Sequence, residues 1–72
     1  MNKNMLNSKM NQFEERQENL AEAIGISLSR FNAKLNRRDG AQFTQDEIQI
    51  IKERYNLTSD EVNDIFFKPK VS

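Results

Sequence analysis

Apolar residues recur along this chain at steps of three and four, with polar clusters between the runs. Residues three and four apart share one face of a helix, so the spacing predicts amphipathic helices and no sheet. Leu6, Met10 and Phe13 mark a first helix over about 2–12. Leu20 and Ile24 mark a second over 16–24, and Phe31 and Leu35 a third over 28–36. A loop over 37–43 carries the turn signal Asp39-Gly40. Ile48, Ile51 and Tyr55 form the apolar face of a fourth helix, and Val62, Ile65 and Phe66 that of a fifth.

Start and stop residues sharpen these limits. Thr44-Gln45-Asp46-Glu47 and Thr58-Ser59-Asp60-Glu61 both read as capping boxes, with a threonine serving the amide three residues on and a glutamate reaching back. Asn56 can end the fourth helix in a left-handed conformation. Pro69 stops any continuation of the fifth, so the tail over 67–72 is expected to be extended. The chain then divides into one helical domain, 1–66, and that short tail.

At 72 residues the core is small, which favours a well-packed bundle or an oligomer. Cysteine and histidine are both missing from the chain. Disulfides are excluded, metal or haem sites built on those side chains are not expected, and no cofactor is predicted. No apolar run approaches the roughly 20 residues that span a membrane. The polar start over 1–10 lacks the apolar stretch of a signal peptide, and a cytoplasmic protein is expected. Net charge is zero, but its distribution is uneven. Residues 27–38 hold Arg30, Lys34, Arg37 and Arg38 and no acid, a local +4. Residues 13–24 hold four glutamates against Arg16, a local −3. A solvated face of mixed charge is the plain reading; a site for a polyanion is the other.

The segment 17–36 is the most informative. Gly25 supplies the residue able to take a positive φ where a helix must stop. Ala21, four residues earlier, is small enough for a second helix to cross close by. Leu20, Ile24, Ile26, Phe31 and Leu35 seal the crossing, and Ser27 starts the next helix as an N-cap. This is a helix-turn-helix pattern, whose second helix enters a DNA major groove. The spacing of Gln17, Ala21, Gly25, Ile26 and Phe31 resembles the lambda-repressor-like, Cro-like helix-turn-helix family (XRE type) of phage and bacterial regulators. Further on, Lys34-Leu35-Asn36, Phe43-Thr44, Glu47-Ile48, Tyr55-Asn56-Leu57-Thr58, Ile65-Phe66-Phe67 and Lys70-Val71 extend the likeness over nearly the whole chain. Two departures stand out. Arg16 occupies a position usually held by a capping threonine or serine, and Lys52 one often held by alanine. The resemblance implies an all-α, five-helix, lambda-repressor-like domain. It also implies an operator-binding transcription regulator of a phage or prophage switch, a repressor in the bacterial cytoplasm, associated with the nucleoid.

On the helical wheel of 28–36, Phe31 and Leu35 face inward, while Ser29, Ala33 and Asn36 point away. Base edges meet the N-terminal part of a docked recognition helix. Leu28, Ser29, Arg30, Asn32 and Ala33 are the candidates for base readout. Asn32 suits adenine, Arg30 suits guanine or a phosphate, and Leu28 and Ala33 suit a thymine methyl. Phosphate contacts are expected from Gln17, which is placed like the family's phosphate-clamping glutamine, and from Lys34, Asn36, Arg37 and Arg38. Each has a plainer alternative: Leu28 packing inside, Asn32 only solvating its helix, Lys34 pairing with an acid of the fourth or fifth helix. A single module reads too few base pairs to find a genomic site. A homodimer, formed in solution or only on DNA, is therefore expected on a near-palindromic operator, with Ile50, Phe66, Phe67 and Val71 at its interface. The alternative is that Phe66 and Phe67 cap the monomer core.

Other classes fit less well. The chain has no nucleophile–histidine set and no glycine-rich phosphate loop, so neither an enzyme nor a small-molecule ligand is expected. A helix-turn-helix adaptor for another protein is the main rival, and zero net charge favours it. An antitoxin-type regulator is a third reading, though no long toxin-blocking tail is visible.

Overall fold

Helix starts in this protein are decided by single side chains. The computed structural model describes residues 1–67. Asn2 accepts a hydrogen bond from the Met5 amide (3.2 Å) and starts α1, Lys3–Gln12. Ser27 accepts from the Arg30 amide (3.1 Å) and starts α3, Leu28–Leu35. Thr44 and Thr58 open α4, Gln45–Arg54, and α5, Ser59–Val62, with complete capping boxes. In each box the threonine hydroxyl accepts at 3.1 Å and the glutamate carboxylate accepts the threonine amide at 2.9 Å. A threonine cap of this kind is worth about 0.5–2 kcal/mol. α2, Gln17–Ile24, is the exception. Arg16 has no acceptor in its side chain, so only the reverse half of the box forms, with Asn19 Oδ1 accepting the Arg16 amide at 2.9 Å.

Helix ends follow one design. Three helices close with an amide just past the bend bonded back to the last turn: Glu15 to Met10, Ile26 to Ala21 and Leu57 to Lys52, at 2.8–3.0 Å. That closure needs a left-handed residue at the bend. It is supplied by Glu14 (φ 56°), Gly25 (φ 80°) and Asn56 (φ 51°). α3 also leaves through a left-handed residue, Arg37 (φ 54°). A short 3-10 turn, Arg38–Gly40, then leads toward α4. Gly25 and Asn56 are the residue types this geometry favours; Glu14 and Arg37 are not.

The apolar faces meet as their spacing requires. Each helical segment sends one side chain to full burial: Leu6, Leu20, Phe31, Ile51 and Ile65. Beyond Val62 the fifth helix widens into a π turn, Asn63–Phe67. Three aromatic rings run through the centre edge to face, with Phe31–Phe43 centroids 5.6 Å apart and Phe43–Phe66 centroids 5.8 Å apart. This corrects one expectation for the dimer surface. Phe66 is 8% exposed and belongs to the core, because the ring of Phe43 fills the space beside it. Phe67, the next residue, is 55% exposed. Among the described residues the fold is all-α with five helices and no strand, and no helix is long and apolar enough to cross a membrane.

Polar contacts join the helices at the rim. The Asn2 amide donates to the Ile65 carbonyl (2.6 Å), and Lys9 pairs with Glu61 (2.5 Å), so α1 is fastened along α5. Arg54 at the end of α4 grips Glu15 through Nε (2.7 Å) and through a second contact from Nη2. The Arg54 guanidinium holds the Glu15 carboxyl below its ordinary value. Beside the pair the Tyr55 hydroxyl is buried, and burial followed by the Glu15 carboxylate pushes it well above the usual phenol range.

Candidate nucleic-acid interface

The turn between α2 and α3 decides what α3 can present. Ile24 is buried, the chain reverses at the left-handed Gly25, and Ile26 packs against the core edge. Ser27 caps α3 immediately afterwards. α2 and α3 therefore pack closely, with Ala21 buried between flanking apolar residues.

α3 divides cleanly by face. Phe31 and Leu35 are buried. Leu28, Ser29 and Arg30, its first three residues, are exposed, and Leu28 is 42% exposed. The reading in which Leu28 packs inside is therefore not what the structure adopts. Asn32 and Ala33 are half-buried one turn later. The five side chains expected to read bases thus cover the outward arc of α3 from its capped start to its middle, exposed at 28–30 and half-buried at 32 and 33. Gln17, the first residue of α2, is half-buried.

Lys34 is the main correction. It is 4% exposed, and its ammonium donates to both oxygens of Glu47, at 2.6 and 2.7 Å. It is not free to meet a phosphate. Lys34 lies one helical step outside the Phe31–Leu35 stripe, against the capping box of α4. Glu47 Oε1 serves two donors at once, Lys34 Nζ and the Thr44 amide. Burial opposes the charge on Glu47, but the Lys34 and Thr44 hydrogen bonds outweigh it and hold the carboxyl below its ordinary value. The +4 segment is consequently +3 at the surface, with Arg30, Arg37 and Arg38 all exposed.

The C-terminal end of α3 holds a second polar group. Asn36 Nδ2 donates to the Asn32 carbonyl (2.9 Å), which turns Oδ1 toward α1. There Oδ1 accepts a hydrogen bond from Lys3 Nζ at 3.0 Å. Arg37 and Arg38 follow directly, and among the described residues neither has a carboxylate partner. Lys3 was not among the residues picked out from the sequence. Nothing local marks it, since its partner lies at the far end of α3.

Elsewhere the expected dimer residues divide three ways. Ile50 and Phe67 are exposed apolar side chains, Phe66 is interior, and Val71 lies outside the described residues. Ile48, Lys52, Val62 and Phe67 line a shallow groove between α4 and α5. Among the described residues no group of three or more acidic side chains is arranged to hold a metal ion. No protein-family model matches this chain, and comparisons with curated proteins and with solved structures find no match either.

Proposed function

We propose that this protein is a sequence-specific DNA-binding regulator of the lambda-repressor-like, Cro-like kind, reading an operator through the exposed strip of α3. The observation that carries this reading is the exposed start of α3. Leu28, Ser29 and Arg30 face solvent, Asn32 follows one turn on, and all four are held by a capped helix on a buried stripe. The same start of α3 carries Arg30, and Arg37 and Arg38 follow its end, so cationic side chains lie at both ends of that exposed face. Arg37 and Arg38 follow it and have no acid partner among the described residues, which suits the phosphate contacts that position such a helix. Phosphate contacts are reassigned from Lys34, leaving Gln17, Asn36, Arg37 and Arg38. The protein acts as a binding module and not as an enzyme in this reading.

The partner is double-stranded DNA, and a second copy of the chain completes the site. Exposed Phe67 and the groove it lines between α4 and α5 are one surface available for that copy, and exposed Ile50, outside that groove, is another. The competing reading, an adaptor for another protein, draws on the same groove and on zero net charge.

Selection of bound duplexes from a random pool at stated salt, followed by titration by fluorescence anisotropy, separates the two. The expected result is an enriched inverted repeat whose half-sites lie about 34 Å apart. Ser29→Ala and Asn32→Ala should each relax base preference by about 1–3 kcal/mol at one position. Arg37→Ala should weaken binding to all sequences alike and reduce the salt slope by about one unit. Absence of salt-dependent binding to the pool would leave the adaptor reading.

A further inference from the structure

We infer that Lys3 is a phosphate-binding residue that completes a two-segment cationic clamp at the C-terminal end of α3. The inference rests on the DNA reading above. A lysine in the first turn of a helix faces the positive end of the helix dipole, an unfavourable place for a cation. α1 nevertheless begins with Lys3 and has no acid in its first turn to offset it. The ammonium instead leans across to α3 and donates to Asn36 Oδ1 at 3.0 Å. Asn36 is itself oriented, because its amide donates to the Asn32 carbonyl one turn back.

The base of Lys3 is equally fixed. Asn2 caps α1 through the Met5 amide, and the Asn2 amide is bonded to Ile65. Met1 packs on the core edge. Lys3 therefore extends from an anchored helix start toward the end of the recognition helix. Asn36 uses one of its three ammonium donors, and among the described residues no carboxylate pairs with it. Asn36 is followed at once by Arg37 and Arg38. The start of α1 and the residues just past α3, distant in sequence, thus bring three cations to one end of α3, none of which has a carboxylate partner among the described residues. A phosphate reached by Arg37 or Arg38 lies at the end of α3 that Lys3 also reaches, and the two spare ammonium donors can meet it.

A purely structural role is the competing explanation, since a cation near a helix C-terminus stabilises that helix. The two roles differ in what they move. The test titrates full-length wild type, Lys3→Gln and Lys3→Arg against a labelled random-sequence duplex between about 50 and 200 mM salt. Thermal melts of the same proteins are recorded alongside. In Lys3→Gln the slope of log K against log salt should fall by about 0.9, with weaker binding to every sequence. Lys3→Arg should restore the slope. A Lys3→Gln slope equal to that of wild type overturns the inference, whatever happens to the melting temperature. Failure of the underlying reading looks different, because wild type itself would then show no salt-dependent binding, and the role of Lys3 would fall with it.

Discussion

Replacing Lys34 with alanine is expected to destabilise this protein by about 3–5 kcal/mol, the cost of stranding one member of a buried ion pair. A 72-residue domain has little more than that in total, so the variant should be largely unfolded at ambient temperature. Glu47 is buried, and its two closest donors are both on Lys34 Nζ. Without the lysine, the carboxylate keeps only the Thr44 amide and must either stay charged in a poorly solvated place or take up a proton. The double variant Lys34→Met with Glu47→Gln should recover most of the loss. Methionine fills the lysine stem, and glutamine still accepts the Thr44 amide in the box. Urea unfolding followed by circular dichroism measures both. A Lys34→Ala loss below about 1 kcal/mol is the size of an exposed pair and would show that the joint is solvated.

The same group gives the acid limit its sign. The folded carboxyls of Glu47, Glu15 and Glu61 all lie below their ordinary value of 4.5, Glu61 chiefly through its Lys9 hydrogen bond. The unfolded chain therefore takes up these protons first as pH falls. Stability is full above about pH 4.5, drops as pH falls toward the folded values, and does not change with these groups near neutrality.

Phe66 and Phe67 should part company under mutation. Phe66→Ala removes the last ring of the Phe31–Phe43–Phe66 row and leaves a cavity that a small core cannot close, at an expected cost of about 3–5 kcal/mol. Phe67→Ala removes a ring already facing water, and its effect on monomer stability should stay within about 0.5 kcal/mol. If Phe67 is used by a second copy, its alanine variant should instead weaken cooperative binding to a two-half-site duplex. Unfolding midpoints for both variants, with a titration on that duplex, make the comparison. Equal stability losses at the two positions would mean that the inside and outside of this segment are wrongly assigned.

The sequence was most readable where one residue decides one local feature. Ser27, Thr44 and Thr58 each accept an amide three residues ahead, and three helices begin where those residues stand. Gly25 and Asn56 end helices because few other residues take that bend at low cost. Glu14 and Arg37 make the same bend against residue preference, so nothing in their chemistry announced it. Other features failed to show because they depend on what lies across the fold. For Lys34 the sequence left two readings open, a phosphate contact and an ion pair with an acid of the fourth or fifth helix, and the position of α4 decides for the second. The one available signal was its place beside the Phe31–Leu35 stripe, with a capping glutamate downstream. Phe66 and Phe67 are adjacent and identical in chemistry, and the ring of Phe43 decides between them. Lys3 was invisible because Asn36 is its neighbour only in three dimensions.

The hydrogen bond from Asn2 to Ile65 also bears on the order in which the chain assembles. It ties the first helix to the last, so forming it closes a loop through almost the whole domain. α2 and α3 need only the short turn at Gly25 to meet. Closure entropy rises with loop length, so the long-range seam is the costlier to form early. The expected route is a nucleus built on α2 and α3, with α1 docking against α5 after the barrier. Measured φ-values near zero for Leu6 and well above zero for Leu20 and Phe31 would record that order, and the reverse pattern would exclude it. Under thermal stress the seam then opens first, while the helix pair that carries the reading strip keeps its shape longest.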